Sequence, residues 1–248
     1  MAVMDITGNR LYWQQDTEKI LIEPWGKDGL RVRVTRNGSF DGKDWALENP
    51  HTVPQAKAEI YETAPPNFAQ DAARLGQGEY QFNEKPEKKP NAMRIVNGGI
   101  TAEIDRHGYI RFLNGKGEEL VREYVRNRSD LSEFCVPLSR KARLLTPVLG
   151  SEDWRAEVSF EAYEGERFYG LGQYQEDFLN LKGCTLELAQ RNSQASIPFM
   201  LSSRGYGFLW NNPAVGNVTL GENVTEWTAE RTLQIDYWIT AADTPAQI

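Results

Sequence analysis

Leu30-Arg31-Val32-Arg33-Val34 alternates apolar side chains with arginines, and Ile100-Thr101-Ala102-Glu103-Ile104 repeats the alternation with other polar partners. Successive side chains on an extended backbone point to opposite sides, so a period of two marks a strand with one face on a core and the other in solvent. Both segments are therefore expected to be strands with one face toward solvent.

The same period recurs outward from these two runs. Asn97-Gly98-Gly99 precedes the second and Arg106-His107-Gly108 follows it, supplying the small and polar residues that tight turns need where φ becomes positive. Tyr109 to Leu113 is the next expected strand, and Asn114-Gly115-Lys116-Gly117 turns the chain before another over Glu119 to Val121. Trp154, Ala156, Val158, Phe160 and Ala162 mark one face of a longer strand, and Leu233, Ile235, Tyr237 and Ile239 mark one near the end. Phe40 to Gly78, with Pro50, Pro54, Pro65 and Pro66, and Asn83 to Asn91 break the pattern and read as loops. Within the first, Asn67 could cap a short helix over Phe68 to Leu75 that Gly76 would stop. Many strands, frequent turns and no alternating long helices imply an all-β chain: one large antiparallel β-sandwich over residues 1–248, with few short helices.

Composition limits what such a sandwich can do. A formal charge of -7 argues against a general polyanion binder, since nucleic-acid affinity rests on clustered Lys and Arg. The nearest approach to a basic cluster, Lys85 to Lys89, is interrupted by Glu87 and bracketed by Pro86 and Pro90, so it reads as a solvated loop. With a mean hydropathy of -0.58 and no apolar run near 18 residues, no transmembrane helix is expected. Met1 to Tyr12 has neither the basic start nor the apolar core of an export signal, so a soluble, cytoplasmic protein is the expectation. Cys135 and Cys184 are too few for a disulfide framework or zinc site, and His51 and His107 each lack a second ligand nearby in sequence. No metal and no cofactor is implied.

Catalytic carboxylates are equally hard to place. Glu161, Glu164 and Glu166 flank a turn around Gly165 and read as a solvent-facing charged edge, while Asp153, Asp177 and Asp236 stand isolated. Ser203, in Ser202-Ser203-Arg204-Gly205, lacks the Gly-x-Ser-x-Gly elbow and reads as a turn residue; Gly170-Leu171-Gly172 lacks the third glycine of a dinucleotide fingerprint. The stretch 168–212 stands apart because it concentrates aromatics, amides and glycines, among them Tyr169, Gln173, Tyr174, Gln190, Asn192, Trp210 and Asn211. Amides match sugar hydroxyls and aromatic faces cover sugar C–H surfaces. A core edge with buried turns has the same composition.

Four elements in this chain resemble glycoside hydrolase family 31, in its bacterial α-xylosidase and α-glucosidase-like branch. Glu166-Arg167-Phe168-Tyr169-Gly170-Leu171-Gly172-Gln173 is similar to the family's E-R-F-Y-G-L-G-E/Q run. Ile197-Pro198-Phe199 with Ser202 to Asn212 is similar to its I-P-F…S-x-x-G-Y-G-x-L-W-N-N run. The third element is Asn97 to Ile104 with the turns at Gly108 and Gly117, and the fourth is Asp236-Tyr237-Trp238-Ile239 followed by Asp243-Thr244-Pro245-Ala246. They occur in the family's order and span nearly the whole chain.

The resemblance implies a sandwich of the galactose-mutarotase-like type, followed in family members by a (β/α)8 barrel carrying two catalytic aspartates that act in a retaining mechanism. On that reading the chain ends at Ile248 where the barrel is expected to begin, and it contributes no catalytic residue. Its partners would be its own C-terminal barrel and an α-linked oligosaccharide, and an apolar face left for the barrel would also allow a homo-oligomer. A loop of this domain reaches the barrel's mouth in the family, and the matching stretch here is Gln190-Arg191-Asn192-Ser193-Gln194. Some members place a sugar-binding aspartate where this chain has Asn192; the amide keeps one acceptor and adds donors but gives up charge-assisted bonding. Gln190, Arg191 and Asn192 are thus the candidate substrate-binding residues. A freestanding carbohydrate-binding sandwich and a complete mutarotase-like enzyme remain the alternatives, separable by sugar titration and by an anomerisation assay.

Overall fold

The computed structural model describes residues 2–48, 55–62, 92–124 and 141–248. His51, Cys135, the helix expected over Phe68 to Leu75 and the run Lys85 to Lys89 lie outside them. The described residues form antiparallel sheets with one short 3-10 turn, Pro245–Gln247, at the end.

Eight strands make the largest sheet. In spatial order they are β1 (Val3–Thr7), β2 (Arg10–Gln15), β3 (Glu18–Pro24), β4 (Gly29–Thr35), β18 (Ile235–Ala241), β15 (Tyr206–Trp210), β14 (Ala195–Ser202) and β12 (Phe168–Gln173). A second sheet runs β10 (Arg143–Pro147), β11 (Trp154–Glu161), β17 (Val224–Thr232), β16 (Gly216–Leu220) and β13 (Thr185–Leu188). The third is β5 (Lys57–Tyr61), β6 (Ala92–Asn97), β7 (Ile100–Asp105), β8 (Ile110–Asn114) and β9 (Glu119–Arg122). The two smaller sheets meet where Glu123, just past β9, bridges to Phe160 of β11. There the buried Glu123 carboxylate accepts from Arg143 Nη1 and from the Ile110 amide at 3.0 Å.

Period two decides what enters the core. Val32 and Val34 of β4, Ile235, Tyr237 and Ile239 of β18, and Phe208 and Trp210 of β15 are all buried from the eight-stranded sheet. Ala156, Val158, Phe160, Trp227 and Ala229 are buried from the facing layer. Aromatic rings join the layers: Phe208 stacks on Trp227 with centroids 4.9 Å apart, and Phe160 meets Tyr237 edge-on at 5.7 Å. Buried aromatics of this size dominate a core, each removing 150–250 Å2 of surface from water by the usual estimate of about that range.

Three expectations are corrected. Lys57–Tyr61 is a strand, β5, within the stretch read as loop; it pairs Ile60 with Met93 at the edge of its sheet. Arg31 does not face water: it is 1% exposed, since residues 36–48 fold back over the outer face of β4 and β18. Its guanidinium reaches Asp236 at 2.7 and 3.0 Å, Asp44 at 2.6 Å and the Lys43 carbonyl at 3.0 Å. Asn211 donates to the same Asp236 carboxylate at 3.0 Å and accepts from the Ala46 amide at 3.0 Å, so the covering segment is tied to the sheet by a buried polar network. Glu166, placed by the sequence on a solvent-facing edge, is 4% exposed and accepts from Ser202 Oγ at 2.5 Å and Tyr206 Oη at 2.9 Å.

Candidate functional site

The candidate residues occupy a hairpin that crosses between sheets. β13 pairs with β16 in one layer and β14 pairs with β12 and β15 in the other, so the connection between β13 and β14 must leave one layer and enter the other. Arg191 and Gln194 pair as an isolated bridge around the two-residue turn Asn192-Ser193, with Ser193 at φ 75°. Below the turn, Gln190 behaves like a backbone segment. Its Nε2 donates to the Ser196 carbonyl at 2.6 Å and its Oε1 accepts from the Ser196 amide at 3.2 Å. Arg191 makes a bidentate pair with Glu187, 2.6 Å at both oxygens, which holds the Glu187 carboxyl below its ordinary range. The Asn192 side chain stands exposed at the tip, with no hydrogen bond among the described residues.

A bulge in the neighbouring strand fixes where this hairpin rises. Gly170, Leu171 and Gly172 have φ of 103°, 64° and 97°, and the register of β12 against β14 shifts between Gly170 and Gly172. A Cβ at Gly172 would lie 2.0 Å from the Ala195 carbonyl oxygen, so only glycine lets the two strands approach. Leu171, left-handed without being glycine, is held there by complete burial. Past the bulge, Tyr174 Oη donates to the Glu187 carbonyl and lies 2.8 Å from Ser196 Oγ, pinning both legs of the hairpin. The glycines that resemble a nucleotide loop in sequence thus act sterically. Ser203 likewise sits in a turn, its Oγ accepting from the Arg167 amide at 2.9 Å.

Comparison with known proteins places this geometry. The profile of the glycosyl hydrolase 31 N-terminal galactose mutarotase-like domain matches residues 20–218. The chain belongs to this family. It is 37% identical over 97% of its length to an uncharacterized family 31 glucosidase, ORF2, of Pseudescherichia vulneris, and 31% identical over 95% to alpha-xylosidase A of Aspergillus niger. A GH31 alpha-xylosidase from a soil metagenome, crystallised with xylose, superposes with a TM-score of 0.84 at 43% identity over 99% of the chain. This family 31 domain spans 41%, 29% and 33% of those three proteins, well under half of each.

The outer face of the family 31 domain's large sheet changes character across its width. Over β3, β4 and β18 it is the buried charge network of Arg31 and Asp236. Over β15, β14 and β12 it becomes apolar, because Phe199 stands opposite Leu209, Leu209 opposite Trp238, and Tyr169 opposite Leu201, and cross-strand partners share a face. These side chains are half-buried, and Ile197, next along β14, is 55% exposed. Ile248 closes over Gly207 beside the Phe199 ring: a Cβ on that glycine would stand 2.5 Å from Ile248 Cγ2. Among the described residues, no group of three or more histidine, cysteine or acidic side chains is arranged to hold a metal ion.

Proposed function

We propose that this chain is the noncatalytic N-terminal domain of a retaining α-glycosidase of the α-xylosidase or α-glucosidase type, acting in carbohydrate metabolism. It braces the catalytic barrel and lends one wall to the sugar pocket. The observation that carries the reading is the family match over residues 20–218, in relatives that extend far beyond the matched length. The apolar outer face over Tyr169, Ile197, Phe199, Leu201 and Leu209 is the surface assigned to the barrel. An exposed apolar sheet face next to a further domain is stabilised when that domain covers it.

The hairpin supplies the sugar contact. Asn192 presents one acceptor and two donors to ring hydroxyls from a rigid mount, while Gln190 and Arg191 position the tip through Ser196 and Glu187. An amide binds neutral hydroxyls without charge assistance, so its effect falls on substrate binding more than on the chemical step. The test is steady-state kinetics of the full-length enzyme on isoprimeverose, an α-linked xylosyl-glucose disaccharide. Asn192→Ala is expected to raise KM about tenfold with kcat within about twofold. An unchanged KM removes the hairpin from the pocket wall.

A further inference from the structure

A concave surface lies away from the hairpin tip. A cleft of about 560 Å3 opens between residues 37–42, which follow β4, and residues 147–154 of the β10–β11 connection. Its volume falls in the range of roughly 300–1,000 Å3 typical of small-molecule sites. Phe40 and Trp154 give it two partly exposed rings, and Asp41, Glu152 and Asp153 give it carboxylates.

Each of these groups except Glu152 is held by a neighbouring residue, some within the lining and some behind it. Trp154 Nε1 donates to Asn37 Oδ1 at 2.8 Å, and the Arg33 guanidinium backs the Phe40 ring at 5.6 Å. The Asp41 backbone is clasped by the buried Gln234 side chain, which accepts from its amide at 2.9 Å and donates to its carbonyl at 3.2 Å. Asp153 is set by Ser151 Oγ at 2.6 Å and Arg231 at 3.1 Å. Such support fixes ring and acceptor positions before any ligand arrives.

The chemistry of the lining selects the ligand. Three carboxylates repel phosphate and acidic sugars, and the residues do not gather into a metal-binding group. Carboxylates that accept from hydroxyls, beside aromatic faces that cover C–H surfaces, match a neutral pyranose. The cleft also opens at the hairpin's end of the sandwich. β18 begins at Ile235 opposite Val34, and Trp210 opposite Tyr237 leads to Leu209 opposite Phe199, near the start of β14. We infer that the Phe40–Trp154 cleft is a second, noncatalytic binding site for neutral pyranosyl units of a glycan. It stands apart from the hairpin's role, because its lining comes from residues 37–42, 147–154 and Leu233 and includes none of residues 190–194.

The test is an NMR titration of the 15N-labelled 248-residue chain with isoprimeverose, with maltotriose, and with calcium chloride and inorganic phosphate as ionic controls. Expected are saturable shifts of the Trp154 indole N–H and the amides of Gly38 to Gly42 with a sugar, at a dissociation constant of about 1 mM. Phe40→Ala and, at the exposed rim, Glu152→Ala should each weaken binding about threefold or more while the spectrum stays folded. The inference is overturned by no cleft shifts with either sugar at 50 mM (roughly fifty times the expected constant), by shifts confined to residues 190–195, by saturation with an ionic control alone, or by variants that bind unchanged. Failure here leaves the hairpin reading standing, since that is judged by KM in the full-length enzyme.

Discussion

Arg31 and Asp236 meet with almost no solvent contact, each 1% exposed, and the guanidinium is kept charged by the Asp236 and Asp44 carboxylates against the cost of burial. Removing Asp236 takes away the buried partner of Arg31 and leaves it only the more exposed Asp44, and breaking a buried pair typically costs up to about 3–5 kcal/mol. Asp236→Ala is expected to lower unfolding free energy by that amount in urea titrations, and Asp236→Asn by less, because the amide oxygen still accepts from Arg31. A loss below about 1 kcal/mol for the alanine variant contradicts the network. Glu166 carries the opposite sign. Burial raises its carboxyl above the ordinary 4.5, and the hydrogen bonds from Ser202 and Tyr206 only partly offset this. The native state therefore holds that proton more tightly than the unfolded chain does. The stability it contributes is present below pH 4.5 and lost as pH rises through the folded value. Glu166→Gln, which keeps an acceptor for both hydroxyls, should gain melting temperature relative to the parent as pH rises above 4.5, in thermal melts across a pH series. A pH-independent difference removes the effect.

The hairpin tip and the bulge beneath it are expected to differ in what they contribute to stability. At Gly172 a methyl group meets both the left-handed φ of 97° and the Ala195 carbonyl, so Gly172→Ala is expected to cost about 2 kcal/mol or more in chemical unfolding. Asn192→Ala, at an exposed tip, should stay within about 0.5 kcal/mol of the parent in the same experiment. Equal losses at both positions contradict that difference. Strands such as Leu30 to Val34 and Ile100 to Ile104 were legible in the sequence because period two reports which side chains share a face. That period is silent on what covers the second face, so the burial of Arg31 under residues 36–48 could not be read from it. β5 escaped notice because an edge strand buries little: its Ile60 is 40% exposed, and it lies among prolines. The hairpin's candidacy as a sugar contact was legible only through family resemblance. The cleft's residues Asn37 and Trp154, 117 apart in the chain, carry no local signal at all.

The sandwich as a unit has a closed aromatic core and one outer face that is charged and covered on one side, apolar and partly open on the other. The open part is the face proposed to meet a catalytic barrel. Ile197→Asp should leave the isolated chain's stability within about 0.5 kcal/mol, since the side chain is largely exposed. In the full-length enzyme the same substitution should split one calorimetric unfolding transition into two, as the domain uncouples from its neighbour. A single unchanged transition places the joint elsewhere. On the proposed reading the chemistry belongs to that neighbour, which would carry the facing acid and nucleophile a glycosidase needs. The decisive assay is hydrolysis of 4-nitrophenyl α-D-xyloside and 4-nitrophenyl α-D-glucoside by the purified 248-residue chain beside the full-length enzyme. Turnover of at least one substrate is expected from the enzyme and none above buffer from the chain; release of nitrophenol in proportion to the chain's own concentration would contradict the account.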